Sequence, residues 1–203
     1  MKFTIATMIF LFSQFFTSAQ AKWEFRKEKA GIKMYSRPSN HSRFDDIRVE
    51  VDLPGTVEQL AAILLDVDNY GTWAYGTKST LIVKRISKTE LIYYSEFEVP
   101  WPATNRDLYA SFNVMTDSVN HLLKVVSNSI RSYAPEKSNL VRIPLSKGVW
   151  IASVIAPKKI HLQYTLELDP GGSVPGWVLN MFSSKGPMET FHNLRQKMIS
   201  LNK

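Results

Sequence analysis

Asp169-Pro170-Gly171-Gly172-Ser173-Val174-Pro175-Gly176-Trp177-Val178-Leu179-Asn180 divides a long run of strand-like sequence from the last helix of the chain. Two prolines and adjacent glycines in seven residues break any regular element. Beyond them, Trp177, Met181, Met188, Phe191, Leu194 and Met198 recur at spacings of three, four or seven, the period of one helix face. Gly186-Pro187 inside that pattern predicts a kink.

Upstream, the sequence reads as successive strands. Leu81 to Ile86, Glu90 to Val99, Arg106 to Met115, Leu122 to Ile130, Leu140 to Pro144, Val149 to Ala156 and Ile160 to Leu168 are rich in β-branched and aromatic residues. Ser87-Lys88-Thr89, Thr116-Asp117-Ser118 and Pro157-Lys158 join them as short hairpin turns. Further back, Gly31 to Arg37 alternates apolar and polar residues, and Phe44 to Leu53 puts Ile47, Val49 and Val51 on one face. After Pro54-Gly55, Thr56 and Gln59 have the capping-box spacing, and Leu60, Ile63, Leu64 and Val67 form a helical stripe ending near Asp68 to Gly71. No repeat or linker divides the chain. Strands, helix, antiparallel strands, helix is the order of an α+β domain with helices packed on a curved antiparallel sheet.

Lys2 and the apolar run Ile5 to Phe16 lead to Thr17-Ser18-Ala19-Gln20-Ala21, an A-x-A signal. The run is short of the roughly 20 apolar residues a membrane span needs. Residues 1–21 are read as a signal peptide, the alternative being a retained anchor. Residues 22–203 are then the mature domain, exported to a periplasm or outside the cell. Cleavage removes one charged residue, Lys2, and takes the formal charge from +7 to +6.

The chain has 203 residues, 44% hydrophobic and 21% charged, an ordinary globular balance. It has no cysteine, which excludes disulfides, thiolate metal sites and a cysteine nucleophile. The basic excess contains no dense block and argues against a nucleic-acid partner. His41, His121, His161 and His192 are widely spaced, and no H-E-x-x-H, G-x-S-x-G or Gly-rich phosphate loop occurs. Asp66-x-Asp68 lacks the further acidic ligands of a calcium loop. Asp107 and Glu167 stay open as acid–base groups, but no nucleophile–base–orienter set appears. No cofactor or metal is expected.

Gly31 to Arg37, Leu64-Leu65-Asp66 with Trp73, Tyr93-Tyr94, Pro100-Trp101-Pro102, Asn105-Arg106-Asp107 and Asp169 to Asn180 stand in this order, and on these residues the chain resembles the START family of lipid-transfer domains. Gly31-Ile32-Lys33-Met34-Tyr35-Ser36-Arg37 is similar to the family's opening strand. Leu64-Leu65-Asp66 followed by Trp73 continues it, and Tyr93-Tyr94, Pro100-Trp101-Pro102 and Asn105-Arg106-Asp107 resemble the central W-P-x-x-x-R-D motif. Asp169 to Asn180 is similar to D-P-x-G-x-[IL]-P-x-W-L-x-N, and Pro187 with its following helix completes the likeness, over nearly all of residues 23 to 203. The export signal and the short stretch left for an N-terminal helix, Lys22 to Ala30, depart from most eukaryotic members and point to a bacterial one.

The resemblance implies a helix-grip fold, with a curved sheet wrapped around the C-terminal helix and a hydrophobic tunnel between them. It implies non-catalytic binding of a lipid, fatty acid, sterol-like or other apolar molecule. Val178, Met181, Phe182, Met188 and Phe191 are the helix candidates for the tunnel wall; Phe97, Phe112, Trp150 and Tyr164 are the strand candidates. Trp177 is read as ordinary core. Trp101 is expected to pack a rigid corner or to rim an opening. Arg106-Asp107 is expected to be a structural ion pair or hydrogen-bond anchor, with contact to a ligand head group as the alternative. A small helix-grip enzyme of the cyclase or dehydratase kind, or an interaction module whose groove is filled, stays as a competing function. A monomer that touches anionic membranes transiently is the expected state.

Overall fold

The computed structural model describes residues 21–117 and 119–202; the expected signal peptide lies, but for Ala21, outside them. Ten strands form one sheet: β1 (Glu24–Lys29), β2 (Ile32–Arg37), β3 (Asp46–Pro54), β4 (Thr77–Arg85), β5 (Glu90–Phe97), β6 (Arg106–Asp117), β7 (Leu122–Ser129), β8 (Val141–Arg142), β9 (Leu145–Ala156) and β10 (Lys159–Asp169). The order across the sheet is β1-β2-β3-β10-β9-β7-β6-β5-β4, antiparallel at each step, and short β8 pairs in parallel with β6. β10 therefore lies between β9 and the early strand β3, which joins the two ends of the sequence in one surface.

Helix α1 (Val57–Leu65) begins at the expected capping box. The Thr56 hydroxyl accepts from the Gln59 amide at 3.3 Å, and the Gln59 side-chain oxygen accepts from the Thr56 amide at 2.9 Å. Two orphan donors of the first turn are thus satisfied. A 3-10 segment, Val67–Thr72, follows.

One expectation is corrected at the start of the domain: residues 24–29 form strand β1 and not part of a short helix. The strand is an edge that buries little by itself. Its neighbour Trp23 holds it down, with the guanidinium groups of Arg37 and Arg48 at 4.4 and 4.3 Å from its ring. Phe25 packs edge-on against Tyr35 across the β1–β2 pair.

The last helix is continuous along the chain but changes winding. α2 (Gly176–Asn180) passes into a π-helical turn, Met181–Lys185, and then into α3 (Gly186–Ser200). Proline has no amide hydrogen and its ring collides with the carbonyl four residues back. The wider turn just before Pro187 accommodates this, and the Gly186 amide donates to the Met181 carbonyl, five residues back. A Cβ on Gly186 would sit 2.5 Å from that carbonyl oxygen, so glycine is required by the close approach. On α3, Met188, Phe191, Leu194 and Met198 face the sheet and join a core with Ile32, Val51 and Leu60. No helix among the described residues is long and apolar enough to cross a membrane.

Candidate functional site

Between the concave face of the sheet and the last helix lies a partly open cavity of about 200 Å³. Strand alternation decides its wall. Leu108 and Phe112 of β6 point into it, while Asp107 and Tyr109 point to the convex side; Tyr93 and Ser95 do the same on β5. Trp150 and Tyr164 are cross-strand partners of β9 and β10, with ring centroids 4.3 Å apart. Phe191 of α3 lies 5.3 and 5.4 Å from those rings and closes an aromatic triangle. On the other side, Tyr70 stands edge-on to Trp73 at 5.1 Å and to Tyr93 at 6.1 Å, and Tyr93 to Phe112 at 6.2 Å. The 3-10 segment after α1 supplies Tyr70, and Trp73 follows directly, so the capping box positions this wall indirectly.

The polar side-chain groups of the cavity are hydroxyls and the indole N–H groups of Trp73 and Trp150, and the Trp73 nitrogen is buried without a hydrogen-bond partner. Tyr70 donates to the Leu64 carbonyl at 2.5 Å, and the Tyr93 and Ser127 hydroxyls share a hydrogen bond of 3.3 Å. Burial pushes the phenols of Tyr70, Tyr93 and Tyr164 up from their ordinary value, so all three stay neutral donors in neutral solution. No Asp, Glu, His, Lys or Arg belongs to the wall. Among the described residues no cluster of His, Asp or Glu could hold a metal ion.

Of the residues chosen from the sequence, the structure brings Phe97, Phe112, Trp150, Tyr164, Met181, Phe182 and Phe191 together on the cavity wall. Val178 and Met188 lie elsewhere. Val178 is fully buried in a small separate cluster with Val99 and Met181. Met188 is turned about 100° from Pro187, which does line the cavity, and packs into the solid core. Tyr70, Trp73, Tyr93, Ser127 and Gly148 also line the cavity and were not anticipated. Tyr93 was within reach: it shares a face with Leu91 and Ser95, both buried, and sits opposite Tyr94 in alternation.

The motif residues divide. Asp107 is fully buried and holds Arg142 through two hydrogen bonds of 2.7 and 3.0 Å, so the buried pair is Asp107–Arg142 and not Asp107 with its neighbour. The Arg142 guanidinium also donates to the carbonyls of Arg131, Ala134 and Pro135, pinning a strap of chain over the convex face. Hydrogen bonding to Asp107 raises the Arg142 pKa above its ordinary value. Arg106 faces the opposite way, is buried, and donates to the Thr104 carbonyl; burial lowers its pKa.

Trp101 does not pack a corner: it is 90% exposed. The corner is held instead by Val99, which is buried and whose amide donates to the Asn105 side chain at 2.9 Å. Trp177 is 44% exposed rather than core, because one residue further along α2 it is Val178 that turns inward. Ala103 and Val174 both pack on the Val99–Val178–Met181 cluster, so the Trp101 loop and the start of α2 share one end of the cavity.

A curved antiparallel sheet gripping a C-terminal helix around an apolar cavity defines the helix-grip class. Residues 10–203 match the START domain model, and the chain belongs to the START domain family. It is similar to the STAR-related lipid transfer protein of Xanthomonas axonopodis, a crystal structure with 28% sequence identity and a TM-score of 0.78 over 87% of this chain and 98% of that one. It is 25% identical to an uncharacterised protein of Pseudomonas aeruginosa over 85% of each chain. Mouse START domain-containing protein 10 is 24% identical over 81% of this chain, which spans 57% of that relative's length.

Proposed function

We propose that this protein binds a hydrophobic molecule in the cavity beneath its last helix and carries it without chemical change. The supporting observation is the cavity itself, an unfilled apolar space walled by Phe112, Trp150, Tyr164, Met181, Phe182 and Phe191. A filled groove would leave no such volume. Transfer of an acyl chain from water into apolar surroundings gains about 0.8 kcal/mol per methylene, so affinity needs no ionic contact. The wall offers no carboxylate or imidazole as an acid or base, which favours carriage over a helix-grip enzyme. The similarity to the STAR-related lipid transfer protein of Xanthomonas axonopodis supports a lipid as cargo.

The A-x-A signal supports cleavage after Ala21 and work outside the cytoplasm. The protein acts there as a monomer, without a nucleic-acid partner, and loads at anionic membrane surfaces. Exposed Trp101 and Trp177 flank one end of the cavity, and tryptophan favours the membrane interface. The basic excess adds attraction of about 1 kcal/mol per residue near such a surface.

Solvent extraction of the purified protein followed by mass spectrometry tests the reading. A co-purifying apolar molecule at near-stoichiometric amount is expected. An empty protein that also takes up no lipid from vesicles would overturn it.

A further inference from the structure

The charge of the cavity and the state of one hydroxyl narrow the ligand, on the reading of the cavity as a ligand site. The wall is apolar and aromatic apart from hydroxyls and the indole N–H groups of Trp73 and Trp150, and none of its described side chains carries charge. An ionised carboxylate or phosphate taken to its floor would lose its water and find no partner, a prohibitive cost. The hydroxyls differ in what they already hold. Tyr70 is committed to the Leu64 carbonyl, Thr190 accepts from the Tyr75 amide at 3.0 Å, and Tyr93 and Ser127 hold one another. The Tyr164 hydroxyl makes no hydrogen bond to a described residue; the smaller Ser95, Thr77 and Ser146 hydroxyls and the Tyr75 phenol of the wall make none either, and the Trp73 indole nitrogen is buried without a partner.

A glycine leaves room for the Tyr164 hydroxyl. The Tyr164 ring lies flat against Gly148, where a Cβ would stand 3.3 Å from both Cε2 and Oη. Gly148 is the cross-strand partner of Ser127, one strand spacing of about 4.8 Å away. The free phenol of β10 therefore reaches over β9 toward the Tyr93–Ser127 pair from the opposite side. An apolar pocket with one convergent polar group is how small-molecule sites fix orientation. Its volume of about 200 Å³ is below the roughly 300–1,000 Å³ of pockets that enclose drug-sized ligands.

We propose that the cavity selects a compact, uncharged molecule, single-chained or ringed, whose one hydroxyl or carbonyl group hydrogen-bonds the Tyr164 phenol beside the Tyr93–Ser127 pair. A free fatty acid or phospholipid head group does not enter the floor. The Tyr164 hydroxyl is the group that meets the ligand, and Gly148 leaves the room it occupies.

Calorimetric titration of the whole protein with decanol and with decanoate tests this, in buffer well above the ordinary carboxylate pKa of about 4. Decanol should bind at least about tenfold more tightly than decanoate. Tyr164→Phe keeps the ring and removes the donor; it should weaken decanol about five- to tenfold and leave decanoate unchanged. Gly148→Ala keeps the hydroxyl and crowds it by a few tenths of an ångström, and should weaken decanol by less than Tyr164→Phe does. Decanoate binding as tightly as decanol, or decanol insensitive to both substitutions, would overturn the proposal while leaving apolar carriage standing. Failure of the native protein to bind either compound would remove both.

Discussion

The two ends of the last helix lie against the same sheet and do opposite things. At the far end of α3, Leu194 and Met198 are wholly buried in a continuous core. Polar ties fasten this end: Arg195 donates to the Ala30 carbonyl at 2.6 Å, and Gln59 of α1 donates to the Asn202 side chain at 3.4 Å. At the near end, Met181 and Phe182 sit on a π turn and face open volume. Gln59 ties α1 to the far end, and the residues of α3 that line the cavity include small Gly186 and Pro187. The cavity is thus a place where packing material is withheld. The helix can afford an irregular turn there because its other end is anchored.

Substitutions should rank by how closed their surroundings are. Arg142→Leu, on the sealed convex face, leaves the Asp107 carboxylate buried without its cation and should cost about 3–5 kcal/mol in denaturant unfolding. A cost near zero would mean that the strap opens freely to water. Leu194→Ala at the closed end should cost about 2–5 kcal/mol and lower the melting temperature accordingly. Gly186→Ala forces a Cβ against the Met181 carbonyl, and about 1–3 kcal/mol is expected, with loss of the π turn reported by altered ligand uptake. Met181→Ala should cost least, under about 2 kcal/mol, because its side chain borders space that is already open. If Met181→Ala and Leu194→Ala cost the same, the two ends are equally packed and the contrast fails.

Much of this contrast was legible in the sequence. The capping box at Thr56 and Gln59 and the strand series are local signals that appear where expected, and just before Gly186-Pro187, where the sequence points to a kink, the structure has a π turn over Met181–Lys185. Seven cavity-wall residues were also reachable: Phe97, Phe112, Trp150 and Tyr164 because large apolar groups on strands must face one side or the other, and Met181, Phe182 and Phe191 from the apolar face of the last helix. What escaped depends on long-range pairing. Arg142 lies 35 residues from Asp107, and no local pattern links them. Residues 24–29 carry no alternating apolar pattern, and they are a strand because Trp23 and the β2 edge hold them. Trp101 reads as a packing residue by type, yet Val99 takes that place and leaves it in solvent. Tyr164 was chosen for its size; its unpaired hydroxyl emerges only with the register of β9 and β10.

The central claim is that the space at the near end of the helix is ligand space. Met181→Trp tests it most directly, read as displacement of a fluorescent sterol or lipid beside the melting temperature. The account predicts a folded protein, melting close to the native one, whose uptake falls by about tenfold or more because the indole fills the volume the ligand needs. A folded Met181→Trp protein with undiminished uptake would contradict it.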